Sequence, residues 1–148
     1  MNTIEISRLM HMTPNFAGVV PCCEIDQFKK EDVVGLIVNT DPHDKPGEHW
    51  VALYKEGERL SFFDSFGRRM EEFEEPFASI MRDFSSRLQV TSNRMQYQNI
   101  FTDTCGLWSI YYILTRVWNV SFSGFTNDTF ENEKELERQL NIIGIDLN

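Results

Sequence analysis

The apolar positions of this chain fall into two kinds of pattern, and the change from one to the other sketches the fold. VVGLIVN (33–39) is continuously apolar and largely β-branched, as in a strand covered on both faces. TDPHDKPGE (40–48) is polar and punctuated by Pro and Gly, hence a loop. HWVALYK (49–55) and RLSFFDS (59–65) read as two strands of a hairpin, joined through EGE, where Gly57 can adopt positive φ. From Met70 to Leu88 the period lengthens. Phe73, Phe77, Ile80, Met81, Phe84 and Leu88 recur at helical spacing, predicting an amphipathic helix with Pro76 in its first turn. MQYQN (95–99) is a short strand candidate. CGLWSIYYILTRVW (105–118) is apolar on most sides, predicting a helix buried mid-molecule and capped by Asp103 or Thr104. A final acidic helix runs roughly from Asn127 to Asn141, and the stretch before residue 15 shows no pattern. The predicted class is α+β, with the central helix packed against a small mixed or antiparallel sheet.

With 148 residues the chain is expected to be a single domain, 1–148. Neither a transmembrane-length apolar run nor a signal-peptide layout is present, so an intracellular or particle-packaged protein without membrane partners is expected. The net charge of −9 disfavours nucleic acid as a partner. Cys22, Cys23 and Cys105 do not make a disulfide framework, which fits a reducing compartment. A metal site from Cys22, Cys23, His43 and nearby acids lacks ligand spacing, and no metal or cofactor is expected.

One thiol changes the picture. If a helix starts at Cys105, its sulfur sits where unpaired backbone N–H groups and the positive end of the macrodipole converge, and both favour thiolate. Gly106 beside it would spare an approaching substrate a side chain. The alternative is a small buried core residue. A nucleophilic cysteine needs an imidazole, and the chain has three histidines. His11 lies in the unpatterned start and His43 between two aspartates of the loop, whereas His49 begins a strand. Asp64 ends the other strand of the hairpin, about as far from the turn as His49, and could orient that ring; it could equally be a turn residue of DSFG. An asparagine at position 64 should still orient the ring in part. An oxyanion would need preset donors: the Cys105 backbone N–H and the amide of Gln98, with Gln96 as competitor.

The order His–Trp, Asp, Gln, Cys–Gly resembles the adenovirus-type cysteine proteases and their relatives in Maverick/Polinton transposons and virophages. The likeness to SUMO and ubiquitin-like proteases is more distant. It rests on LIVNT (36–40), GEHWVALY (47–54), FFDSFG (62–67), YQNIFTDTCGLW (97–108) and NFAGVVP (15–21), and so covers about residues 15–118. The resemblance implies Cys105 as nucleophile, His49 as general base, Asp64 as orienting acid and Gln98, rather than Gln96, as oxyanion donor. It also implies Trp50 packed beside them. The implied substrates are polypeptides, capsid or other structural precursors cut at glycine-containing motifs, handled by a monomer in the host nucleus or cytoplasm or inside a virus-like particle. Removal of a ubiquitin-like modifier and a non-catalytic binding module are the alternatives. The adenoviral enzymes are stimulated by DNA and by a peptide attached through a cysteine upstream of the glutamine. No cysteine lies between residues 24 and 104, so covalent peptide activation is not expected here. The acidic segment 121–148 has no counterpart in the resemblance and is expected to be a capping helix or a partner site.

Overall fold

The computed structural model describes residues 1–22, 24–25, 32–41 and 49–147. Five strands form one sheet in the order β1 (Phe16–Pro21), β2 (Val33–Asn39), β3 (Trp50–Glu56), β4 (Arg59–Phe63) and β5 (Gln89–Ser92). The outer pairs, β1 with β2 and β4 with β5, are parallel and the inner ones antiparallel, so the sheet is mixed. Gly57 turns the β3–β4 hairpin at φ +59°. The continuous apolarity of β2 has its expected cause: Ile37 faces one core, and Val34, Leu36 and Val38 face the other.

The first core is closed by α3 (Cys105–Val117), whose Trp108, Ile110, Tyr111, Ile113 and Leu114 meet Trp50, Ala52, Tyr54 and Phe63 of the sheet. The second is closed by α2 (Phe77–Ser85) through Phe77, Met81 and Phe84. The predicted helix over 70–88 is therefore shorter at both ends. Pro76 stands at the N-cap rather than in the first turn, and the residue before a proline is steered away from helical geometry. A 3₁₀ turn at Met70–Glu72 precedes it, and the chain at Phe73 is extended.

Two strands and one helix go beyond the sequence reading. β5 is an edge strand, mostly exposed, so burial leaves no alternation in its sequence. The segment 95–99 is not a strand: Tyr97 and Gln98 both donate their backbone N–H to the Ser65 carbonyl, a loop arrangement. The unpatterned start is α1 (Thr3–Met10), opened by a capping box in which Glu5 N donates to Asn2 Oδ1 and Asn2 N to Glu5 Oε2. Ile6 and Met10, one turn apart, are its buried positions.

The acidic end is not a loose tail. α4 (Thr129–Ile142) starts at an Asp128 N-cap and buries Leu136 and Leu140 in the same core as α3. Phe122 and Phe125 lead into it and pack against Tyr97, Trp108 and Tyr111. No helix among the described residues is long and apolar enough to cross a membrane.

Candidate active site

Asp64 is the first residue beyond β4, and the backbone there is fixed from both sides. Its N–H donates to Asn93 Oδ1 at 3.0 Å, and Asn93 Nδ2 donates to its carbonyl at 2.7 Å. The DSFG turn then closes with Gly67 N on the Asp64 carbonyl at 2.9 Å. Gly67 has φ +72°, and a Cβ there would lie 2.8 Å from the Arg94 and Met95 carbonyls, so only glycine fits. The Asp64 side chain is fully buried, which would be costly for an unpartnered carboxylate. It is partnered at both oxygens. Oδ1 accepts His49 Nε2–H at 2.6 Å, and Oδ2 accepts the backbone N–H and Nε–H of Arg68, each at 3.0 Å. Burial alone would raise the Asp64 pKa. The hydrogen bonds and positive charges of His49 and Arg68 outweigh it, and the net shift is downward.

The hairpin register places these residues differently from the symmetric pairing expected. Ala52 pairs with Phe63, which continues to Asp64 opposite Val51. His49 therefore reaches Asp64 along a diagonal, within range for side chains on one face. Its ring stacks on Phe66 and Phe73, with centroids at 5.4 and 6.2 Å. Trp50, expected beside the catalytic residues, lies in the core with Cys105 and donates its Nε1–H to the Met1 carbonyl at 3.2 Å. With Nε2 committed to the carboxylate, Nδ1 is the nitrogen left for the thiol, and the His49 and Cys105 side chains are hydrogen-bonded. Burial lowers the imidazole pKa, but Asp64 and Cys105 together raise it by more, leaving the ring a stronger base than free histidine.

Cys105 is the first residue of α3 and is 4% exposed. Thr104 holds the cap position but makes no side-chain hydrogen bond to the helix, and Asp103 is exposed. The Thr104 hydroxyl donates instead to the Glu133 carboxylate, at 2.8 and 2.9 Å from its two oxygens. The first turn of α3 therefore lacks the side-chain acceptor expected of it, which favours negative charge arriving from elsewhere. Gly106 does not clear a substrate path. A Cβ there would meet Met1 Sδ at 3.2 Å and Ile6 Cδ1 at 3.4 Å, so the missing side chain makes room for the N-terminal segment.

Gln98 is 1% exposed and clamped at both ends. Ser65 Oγ–H donates to its Oε1 at 2.5 Å, which fixes the amide orientation. Nε2 donates to the Thr102 carbonyl at 2.9 Å, and its other contact, Thr102 Oγ1, is at the long distance of 3.3 Å. Gln96 is exposed and bonds back to the Gln98 carbonyl. Among the sequence candidates, His49, Asp64 and Cys105 thus form one connected row, with Gln98 tied to it through Ser65. His11 is exposed, and His43 and Cys23 lie outside the described residues. Cys22 is buried, with Sγ 3.6 Å from the Asp41 carbonyl. Sequence reasoning missed Ser65, Arg68, Phe73, Asn93 and Glu133. Only Ser65 and Arg68 carried a signal, by adjacency to Asp64 in DSFGR.

No protein-family profile matches the chain. It is 24% identical over 138 residues to a protease of bovine adenovirus 4, across 83% of this chain and 66% of that protein. It is 31% identical over 111 residues to a cysteine protease of African swine fever virus, across 67% of this chain and 39% of that protein. The chain thus spans less than two thirds of each of these relatives. Among solved structures, the Ulp1 protease domain in complex with the yeast ortholog of SUMO superposes with a TM-score of 0.53 at 11% identity, covering 99% of this chain and 78% of that one. The chain is related to the adenovirus-type cysteine proteases and has the fold of the SUMO proteases.

Proposed function

We propose that this chain is a thiol endopeptidase in which Cys105, His49, Asp64 and Gln98 perform acyl transfer. The observation that carries the reading is the row of hydrogen bonds from a fully buried Asp64, through His49, to a cysteine at an uncapped helix start. His49 Nδ1 takes the thiol proton, and the sulfur attacks the scissile carbonyl. The oxyanion forms against the Cys105 backbone N–H and the less engaged hydrogen of Gln98 Nε2. The imidazolium, held by Asp64, gives its proton to the departing amine and leaves a thioester. His49 then deprotonates a water, which attacks the thioester, releases the acid and returns the thiol.

The substrates are polypeptides, in this proposal capsid or other structural precursors of a virus or virus-like element, and the enzyme acts as a monomer inside the host cell or the particle. The cut sites in this proposal are glycine-containing motifs. A second reading, removal of a ubiquitin-like modifier, draws support from exposed apolar residues near the Gln98 segment. Ile100 is 65% exposed, Phe101 82% and Phe130 65%, a surface that a folded modifier could cover. Peptide cleavage by wild type and Cys105→Ala tests the common chemistry. Cleavage should vanish with the circular dichroism spectrum unchanged, and a Gly-Gly aldehyde should label wild type at Cys105 alone. Turnover in the alanine variant would remove Cys105 as nucleophile, and absence of cleavage by wild type would leave a binding module as the better reading.

A further inference from the structure

Four donors from three different turns of chain converge on one carboxylate that belongs to the acidic helix α4. Glu133 Oε1 accepts Asn99 N–H at 3.2 Å, Thr102 Oγ1–H at 2.5 Å and Thr104 Oγ1–H at 2.8 Å, while Oε2 meets Thr104 Oγ1 at 2.9 Å and Trp108 Nε1–H at 3.3 Å. Its neighbour Asn132, 1% exposed, donates to the Tyr97 carbonyl at 3.3 Å and the Thr126 carbonyl at 2.7 Å. Thr129 accepts Asn99 Nδ2–H at 3.0 Å. One face of α4 thus grips the segment 97–104, which carries Gln98 and delivers Cys105.

We infer that Glu133 is a positioning residue for the oxyanion side of the site, an assignment that rests on the acyl-transfer reading above. It acts in two ways. Thr102, whose carbonyl holds the Gln98 amide, is itself held through its hydroxyl by Glu133. Thr104, by type and position a natural cap for α3, has its hydroxyl drawn off the helix end by the same carboxylate. Without Glu133 the Thr104 oxygen can turn to the free N–H groups in the first turn of α3 and draw on the positive helix end that otherwise serves the developing oxyanion. A carboxylate suits this post because it only accepts, and every group converging here donates.

The test separates attack by sulfur from stabilisation of oxygen. Alkylation of Cys105 by iodoacetamide is a displacement that builds no oxyanion, whereas peptide cleavage does. Glu133→Ala should lower kcat for a peptide about tenfold to hundredfold, with KM little changed. The alkylation rate and its pH profile should stay within about twofold of wild type, since thiolate reactivity follows the thiol and its base. Adding Thr104→Val to Glu133→Ala removes the competing cap and should recover part of kcat, and Glu133→Gln, which keeps one acceptor oxygen but turns an NH₂ toward the other donors, should fall between wild type and Glu133→Ala. If Glu133→Ala does not fold, the near-isosteric Thr102→Val cuts the same link and should give the same split. Equal loss in alkylation and cleavage, or an unchanged kcat, overturns the inference while leaving the protease reading intact. Absence of Cys105-dependent cleavage in wild type overturns that reading itself, and this inference with it.

Discussion

Asp64→Asn tests the expectation from sequence that an amide would still orient the ring, and the hydrogen bonds around Asp64 argue against it. Three N–H groups point at the two carboxylate oxygens, and two of them, from Arg68, share Oδ2. The single oxygen of asparagine satisfies more donors by facing Arg68, which turns its NH₂ toward His49 Nε2. That nitrogen must then accept, so the ring proton moves to Nδ1, the nitrogen facing the thiol, and the base is in the wrong tautomer. An equivalent tautomer error in a serine-protease triad costs about 10⁴-fold in kcat, or about 5.5 kcal/mol at 1.4 kcal/mol per decade. Stability should fall by a smaller amount, about 1–3 kcal/mol for a lost charged hydrogen bond. Most of that comes from His49, 14% exposed, because Arg68 at 39% is screened by solvent. Steady-state peptide hydrolysis gives kcat, urea unfolding gives stability, and the iodoacetamide rate reports loss of the base. A variant that keeps more than a tenth of wild-type kcat would refute the tautomer argument and with it the role given to Arg68.

Gln98→Ala should lower kcat about a hundredfold or more, whereas Gln96→Ala, at an exposed position, should change it less than twofold; reversed results would move the oxyanion donor to Gln96. Gly67→Ala should destabilise by about 2 kcal/mol or more in urea unfolding, from positive φ and the carbonyl clash together, and normal stability would mean the DSFG turn can reshape. The pH dependence of stability has two limbs. His49, its pKa raised above 6.5, contributes stability that is complete below pH 6.5 and lost as pH rises through the folded value. Asp64, its pKa lowered below 3.8, contributes stability that is present above pH 3.8 and lost as pH falls through the folded value. The difference in unfolding free energy between wild type and His49→Ala should therefore be largest between these limits and shrink on either side. A difference that fails to shrink outside these limits would contradict the ion pair.

What local sequence determined is what local physics decides. The continuous apolarity of β2, the hairpin through Gly57 and the apolar run behind Cys105 each report burial that their own residues require, so they were legible, and the sequence also singled out His49, Asp64 and Cys105, which the fold brings into one row. The edge strand β5 left no such mark because neither of its faces is well buried, and the helix before it was drawn too long because Pro76 acts on the residue preceding it. Tertiary structure alone decided the rest. It set the diagonal from His49 to Asp64, placed Trp50 in the core with Cys105, gave Gly106 to the N-terminal segment rather than to substrate, and brought Glu133 under the loop ahead of Cys105. These choices depend on which distant groups converge on a buried oxygen or a crowded Cα, and a donor that is satisfied 29 residues away leaves no period in the chain.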